Sequence, residues 1–269
     1  MFKRAVTGFF VLSIASLANA STTTYTPQDW NLTSSNVSIS GNQIYKSAGA
    51  NGVKITAWAN SGNFGVCGTG PECDPGSASY DQDPFLERAQ LTSYSSGIGA
   101  INADDSTSDP HHALDNKGSN TNWAEFDMVL FEFDTAVELT GLRAGWASND
   151  SDMTVLGYTG STALDTNTPF ASDDKWSDLV GKGWGYHTDV MNLGVNNTKT
   201  IAPGFESKYW LVGVYNPVFT GATNSSWDAV KLSMVSTRKA DSQTSVPEPA
   251  TFALMLAGVA ALLRRKKTV

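Results

Sequence analysis

Tyr209-Trp-Leu-Val-Gly-Val-Tyr215 is a seven-residue run whose two alternating parities are both apolar or aromatic. Successive side chains of a strand point to opposite faces, so such a run belongs to a strand covered on both sides, near the middle of a sheet. Working outward, residues 53–58, 128–133, 137–142, 153–158 and 230–235 are further short apolar stretches, separated by Gly, Asn, Asp and Ser. Val230-Lys-Leu-Ser-Met234 is apolar on one parity only, which predicts a strand with one solvated side. Residues 84–91 and 173–180 predict short helical turns, the second with Asp173 as N-cap. Many short strands, polar loops and no fixed-period repeat predict a mainly β chain, built as an antiparallel two-sheet sandwich of the jelly-roll kind.

The two ends read differently from this body. Lys3 and Arg4 precede an apolar run over residues 5–17 and then Ala18-Asn19-Ala20, the charged, apolar and small-residue order of a secretion signal. The expectation is a signal peptide over residues 1–20, cut by signal peptidase. At the other end Val246-Pro247-Glu248-Pro249-Ala250 leads into an apolar run over residues 251–263, then Arg264-Arg265-Lys266-Lys267. That order resembles the PEP-CTERM tail, in which a Pro-Glu-Pro motif, a short membrane segment and a basic end are recognised by an exosortase. The resemblance implies a C-terminal short transmembrane sorting helix, removed during export. The apolar run is shorter than the ~20 residues that span a bilayer comfortably, so it reads as a temporary stop, and the four basic residues hold its end in the cytoplasm. The domains expected are a β-sandwich over residues 21–239, a polar linker over 240–246 and the sorting tail over 247–269.

Between Ser21 and Val246 there are 12 basic and 25 acidic residues, a net charge of −13. This argues against nucleic acid or an anionic membrane surface as partner and leaves the sorting tail as the only membrane contact. Cys67 and Cys73 are the only cysteines, bracketing Gly-Thr-Gly-Pro-Glu. In an oxidising compartment such a pair reads as a disulfide stapling a loop, and residues 61–79 as a long surface excursion. Too few further ligands lie nearby for a metal, and the spacing is not that of a redox pair.

The densest polar segment is Asp104-Asp105-Ser-Thr-Ser-Asp109-Pro110-His111-His112-Ala-Leu-Asp115-Asn116. Turn chemistry is its leading reading, since Asp and Asn close Asx-turns and Pro110 fixes a bend. The rival is a bound Ca²⁺, which wants several oxygen ligands: Asp104, Asp105, Asp109, Asp115 and Asn116 can supply them, joined by Asp150 and Asp152 from a second acidic loop. His111 and His112 suit proton transfer, yet no Gly-x-Ser-x-Gly or His-Glu-x-x-His element accompanies them, so no catalytic residue is assigned. Trp176, Trp184 and Tyr186, near His187, are candidates to stack on a sugar face, or else to cover the edge of the core.

The series Asp109-Pro-His-His-Ala-Leu-Asp-Asn116, Asp127-Met-Val-Leu-Phe-Glu-Phe-Asp134, Gly145-Trp146 with Asp150-Ser-Asp152, Val155-Leu-Gly-Tyr-Thr-Gly160 and Tyr209 through Asn216 looks like the exosortase-dependent surface proteins. Ala113-Leu-Asp115-Asn116, Trp123 and residues 128–134 are more loosely similar to galactose-binding-like, discoidin-type jelly rolls. That second resemblance implies a structural Ca²⁺ near the Asp loop and ligand-binding loops beside it. The expected function is a noncatalytic adhesion, matrix or carbohydrate-binding module at the surface of a Gram-negative-type cell, in contact with extracellular polysaccharide or biofilm. The alternatives are a secreted polysaccharide hydrolase and a self-assembling coat protein.

Overall fold

A computed structural model describes residues 24–62, 67–74, 77, 80–81, 84–117, 124–202, 204–221 and 226–241. The signal peptide, Trp123, the Pro247-Glu248-Pro249 motif, the apolar run and the Arg264–Lys267 cluster lie outside the described residues. Among the described residues no helix is long and apolar enough to cross a membrane.

The described residues form thirteen strands: β1 Tyr25–Asn31, β2 Ile39–Ser40, β3 Gln43–Ala48, β4 Asn51–Gly62, β5 Phe85–Tyr94, β6 Gly97–Ile101, β7 Leu114–Asp115, β8 Met128–Asn149, β9 Met153–Tyr158, β10 Trp184–Val190, β11 Thr198–Thr200, β12 Ser207–Val214 and β13 Asp228–Ala240. Every pairing between them is antiparallel. The layers of the expected sandwich are not separate. β5 pairs with β4 through Phe85–Ala89 and with β6 through Gln90–Tyr94, and β8 pairs with β4 and β12 through its first half and with β13 and β11 through its second. Because β6 also meets β13 at Ile98 and Leu232, the strands β4, β5, β6, β13 and β8 close into a five-stranded ring. Gly97 at the β5–β6 turn, with φ +127, makes this closure possible: a Cβ there would collide with the Leu232 carbonyl.

The period of two places the core. From β12, Trp210, Val212 and Val214 enter one buried cluster, with Ile55, Ala57, Val129, Phe131, Phe133 and Val155. The opposite parity, Tyr209 and Leu211, enters a second cluster with Trp58, Met128, Leu130 and Leu156. The expectation for residues 209–215 thus holds: β12 lies between β8 and β9 and is covered on both faces. The second cover is irregular chain, carrying Phe170, Trp176 and Leu179.

Three local expectations are corrected. Residues 84–91 lie mostly in strand β5, because Phe85, Leu86, Ala89 and Leu91 all find buried sites beside β4 and β6. Residues 173–180 do form short helical turns, 3₁₀ at Trp176–Asp178 and Val180–Lys182, but Lys175 rather than Asp173 occupies the N-cap, its N–H donating to the Asp178 carboxylate. The third correction concerns residues 230–234, which are buried at every position. β13 is covered on both sides, and the Lys231 ammonium lies over the rings of Tyr94 at 4.3 Å and Trp146 at 4.5 Å, with Asp109 at 3.4 Å. A long side chain can bury its stem and still satisfy its charge in this way.

Cys67 and Cys73 are disulfide-bonded, their Cα atoms 5.5 Å apart. The loop they close is docked as well as stapled: Glu72 is fully buried and accepts the Ser177 N–H at 2.8 Å, pinning the loop to the turn that carries Trp176. Asn60 of β4 ties the same region together. Its amide donates to Asp81 at 2.6 Å and to the Ala124 carbonyl at 2.9 Å, while its carbonyl accepts Phe126 N–H at 2.7 Å and the Trp176 indole at 2.9 Å.

Asn60→Ala leaves buried donors and acceptors without partners, each worth about 1–3 kcal/mol, so urea unfolding should show a loss of about 3 kcal/mol. A loss below about 0.5 kcal/mol would contradict the hub.

Candidate metal centre

The end of β6 delivers the chain to a tight polar turn. Asn102 is buried; its side-chain oxygen accepts the Asp104 N–H at 3.0 Å and its carbonyl accepts Asp105 N–H at 3.4 Å. The chain returns through a cis Asp109–Pro110 bond and a turn closed by Ala113 N–H on the Pro110 carbonyl, then enters β7 beside β13. Residues 124–127, leading into β8, lie against it: Asp127 N–H donates to the Asp115 carbonyl at 3.1 Å, and Asp115 N–H donates to the Asp127 carboxylate at 3.3 Å.

This crossing buries four carboxyl groups in one place. Asp115, Glu125 and Asp127 are at most 1 % exposed, and the Asp105 side chain is fully covered. No Lys or Arg forms an ion pair with any of them among the described residues. Both oxygens of Asp105, one of Asp115 and one of Glu125 have no hydrogen-bond partner. Burial above all, with mutual repulsion added, pushes the Asp105 and Glu125 carboxyls up to about 8 and Asp115 to about 7, and raises Asp127 as well. His111 completes the cluster: its Nδ1 lies 2.8 Å from Asp105 Oδ1 and 3.9 Å from Asp115 Oδ1. Burial and, next, Lys117 hold the imidazole below its ordinary range. Buried charges that are neither paired nor hydrogen-bonded are costly. A divalent cation at this point would supply a counter-charge, and Asp105, Asp115 and His111 each offer a ligand atom within 4.8 Å of the others.

The remaining candidates fall elsewhere. Asp104 is exposed. Asp109 turns away to His112 at 3.1 Å and Lys231 at 3.4 Å. Asn116 joins a second group with Asp150, Asp152 and Asp228, whose carboxylates also lie within 4.8 Å of one another. There the oxygens are largely occupied: Asp150 accepts from Ser151 N–H and the Ser226 hydroxyl, Asp152 from Asn192 N–H, and Asp228 from Asp152 N–H and the Asn116 amide. This group is a hydrogen-bonded clamp between loops. The sugar-stacking reading of Trp176, Trp184 and Tyr186 is replaced by core packing for the first two, which are buried in the second cluster. Only Tyr186 of the three is exposed.

Glu125 and Asp127 were not among the sequence candidates. The signal that marks them is position: two acids flank Phe126 at the entrance to a strand that reads as fully apolar, Met128-Val-Leu-Phe.

Residues 245–267 match the family model for the PEP-CTERM protein-sorting motif. The chain therefore carries the signal for exosortase-dependent export to the cell envelope or surface. No curated protein and no solved structure matches it.

The raised carboxyls dictate an unusual pH dependence. Between about pH 4 and 8 the ion-free folded state holds more protons than the unfolded chain, so its stability falls as pH rises through that window. With chelator present, the melting temperature should fall from pH 5 to pH 8, and a saturating divalent ion should raise it most at pH 8. A melting temperature that climbs to pH 8 in chelator would contradict the cluster.

Proposed function

We propose that this chain is a noncatalytic binding module, exported to the surface of a Gram-negative-type cell, with its loop end held by a divalent cation and its work in adhesion or matrix organisation. The observation that carries the reading is the sorting motif at residues 245–267. Signal peptidase removes residues 1–20, and the tail beyond the linker holds the chain briefly in the inner membrane. Exosortase then separates the β body, whose last described strand runs through Ala240. The net charge of the body suits contact with extracellular polysaccharide through discrete sites rather than through a basic patch.

An open groove of about 470 Å³ supports the carbohydrate reading. Tyr45, Lys54, Glu132, Asp134, Asp165 and Thr166 are among its lining residues. Tyr45 is 64 % exposed, the largest exposure among the big apolar residues described. Beside it the Lys54 ammonium donates to Thr166 at 3.0 Å and Asn167 at 2.8 Å, and Thr166 donates to Glu132. A free aromatic face next to a fixed set of donors and acceptors is what a sugar ring needs, an apolar face to stack on and neighbours for its hydroxyls.

The exported protein on an array of bacterial surface glycans should give signal that Tyr45→Ala lowers at least tenfold while the melting temperature stays within about 1 °C. Product release from such glycans by the purified protein would favour a hydrolase instead. Retention of binding by Tyr45→Ala would exclude the groove as the sugar site.

A further inference from the structure

The acidic loop suggested Ca²⁺, and the donor atoms at the crossing point to a different ion. We propose that Asp105, Asp115 and His111 hold a first-row divalent transition ion, of the Mn²⁺ to Zn²⁺ group, with the His111 Nδ1 as a direct ligand. This rests on the reading that the cluster holds a cation and goes beyond it by naming the ion's class.

His111 Nδ1 approaches Asp105 Oδ1 to 2.8 Å. Neither atom has a hydrogen-bond partner, and the pair does not meet hydrogen-bond geometry with each other. A ring nitrogen and a carboxylate oxygen this close without hydrogen-bond geometry between them are both available as donor atoms. An ion between them would coordinate both.

The separations suit a small ion. Bonds of about 2.0–2.2 Å put neighbouring ligands about 3 Å apart and opposite ones about 4 Å apart; the nitrogen here lies 2.8 Å and 3.9 Å from its two oxygens. Ca²⁺ takes six to eight oxygen ligands at longer range, whereas imidazole suits the transition metals.

The surroundings orient these ligands as the partners of metal ligands generally do. Lys117 N–H donates to Asp115 Oδ1 at 2.9 Å, leaving the other Asp115 oxygen without a partner. Asn102 donates to Asp127 at 3.4 Å, and Glu125 turns its unpartnered Oε2 into buried space. The Asp150, Asp152 and Asp228 group has no comparable orphaned oxygens, and no ion is assigned to it.

The test uses the exported protein, stripped with chelator and titrated calorimetrically with Mn²⁺, Zn²⁺, Ca²⁺ and Mg²⁺. Mn²⁺ or Zn²⁺ should bind at least tenfold more tightly than Ca²⁺, and His111→Ala should weaken that binding at least tenfold while changing Ca²⁺ affinity less than twofold. Pulsed electron paramagnetic resonance on the Mn²⁺-loaded wild type needs no variant and should show coupling to an imidazole ¹⁴N. Ca²⁺ binding as tight as that of the transition ions, or Mn²⁺ bound without nitrogen coupling, overturns the ion class and leaves the cation reading standing. Failure of every ion to bind overturns both, while surface export and the Tyr45 groove are judged by their own experiments.

Discussion

Strand β8 is the element on which the rest of the body depends. Its 22 residues pair with β4 and β12 at one end and with β13 and β11 at the other, so it belongs to both layers and closes the ring. A strand of that length has to be fixed where it starts. The residue just before it is Asp127, fully buried and hydrogen-bonded to Asp115 in both directions. The carboxyl cluster therefore sits at the anchor point of the fold's main strand. Its electrostatics bear on the whole body rather than on one loop.

This arrangement explains why so polar a feature lies inside. The loop of residues 102–117 and the entry segment 124–127 come together through direct backbone contacts: Asp127 N–H donates to the Asp115 carbonyl, the Asp127 carbonyl accepts Val214 N–H at the end of β12, and the Asn116 amide donates to the Tyr215 carbonyl beside it. Once backbone pairing has fixed both segments, their acids have nowhere to go but toward one another. Desolvation then drives the carboxyls toward protonation, and a bound cation would relieve the same strain with the acids ionised.

What the residues revealed and what they hid obey the same physics. Residues 209–215 were legible because apolar character on both parities fits little besides a strand buried on both faces. Residues 230–234 were misread because Lys231 looks solvated in one dimension, and only the rings of Tyr94 and Trp146, distant in sequence, show how its charge is housed. Residues 84–91 have helix-compatible composition, and tertiary pairing to β4 and β6 overrides it. In the acidic loop the residue types were legible and their partners were not. Asp105 and Asp115 converge while Asp109 and Asn116 turn to other elements, and Glu125 and Asp127 enter from a segment that composition does not mark. For Trp176 and Trp184 two readings were open, an exposed platform and a cover for the core, and the fold decides for the cover. The sorting tail was the most legible feature, because three chemically distinct parts in a fixed order rarely coincide.

Export and cation binding fit together physically. On the proposed cation reading, an ion bound at the buried carboxyls would add to the stability of the exported body, by the same linkage that raises the stability of any protein whose native state alone binds a ligand. The most direct measurement is anomalous diffraction from crystals of the exported protein grown near pH 8. A cation at the crossing predicts an anomalous peak bounded by Asp105, Asp115 and His111. A map with no peak there, and the carboxyls instead closed on one another through shared protons, would contradict it.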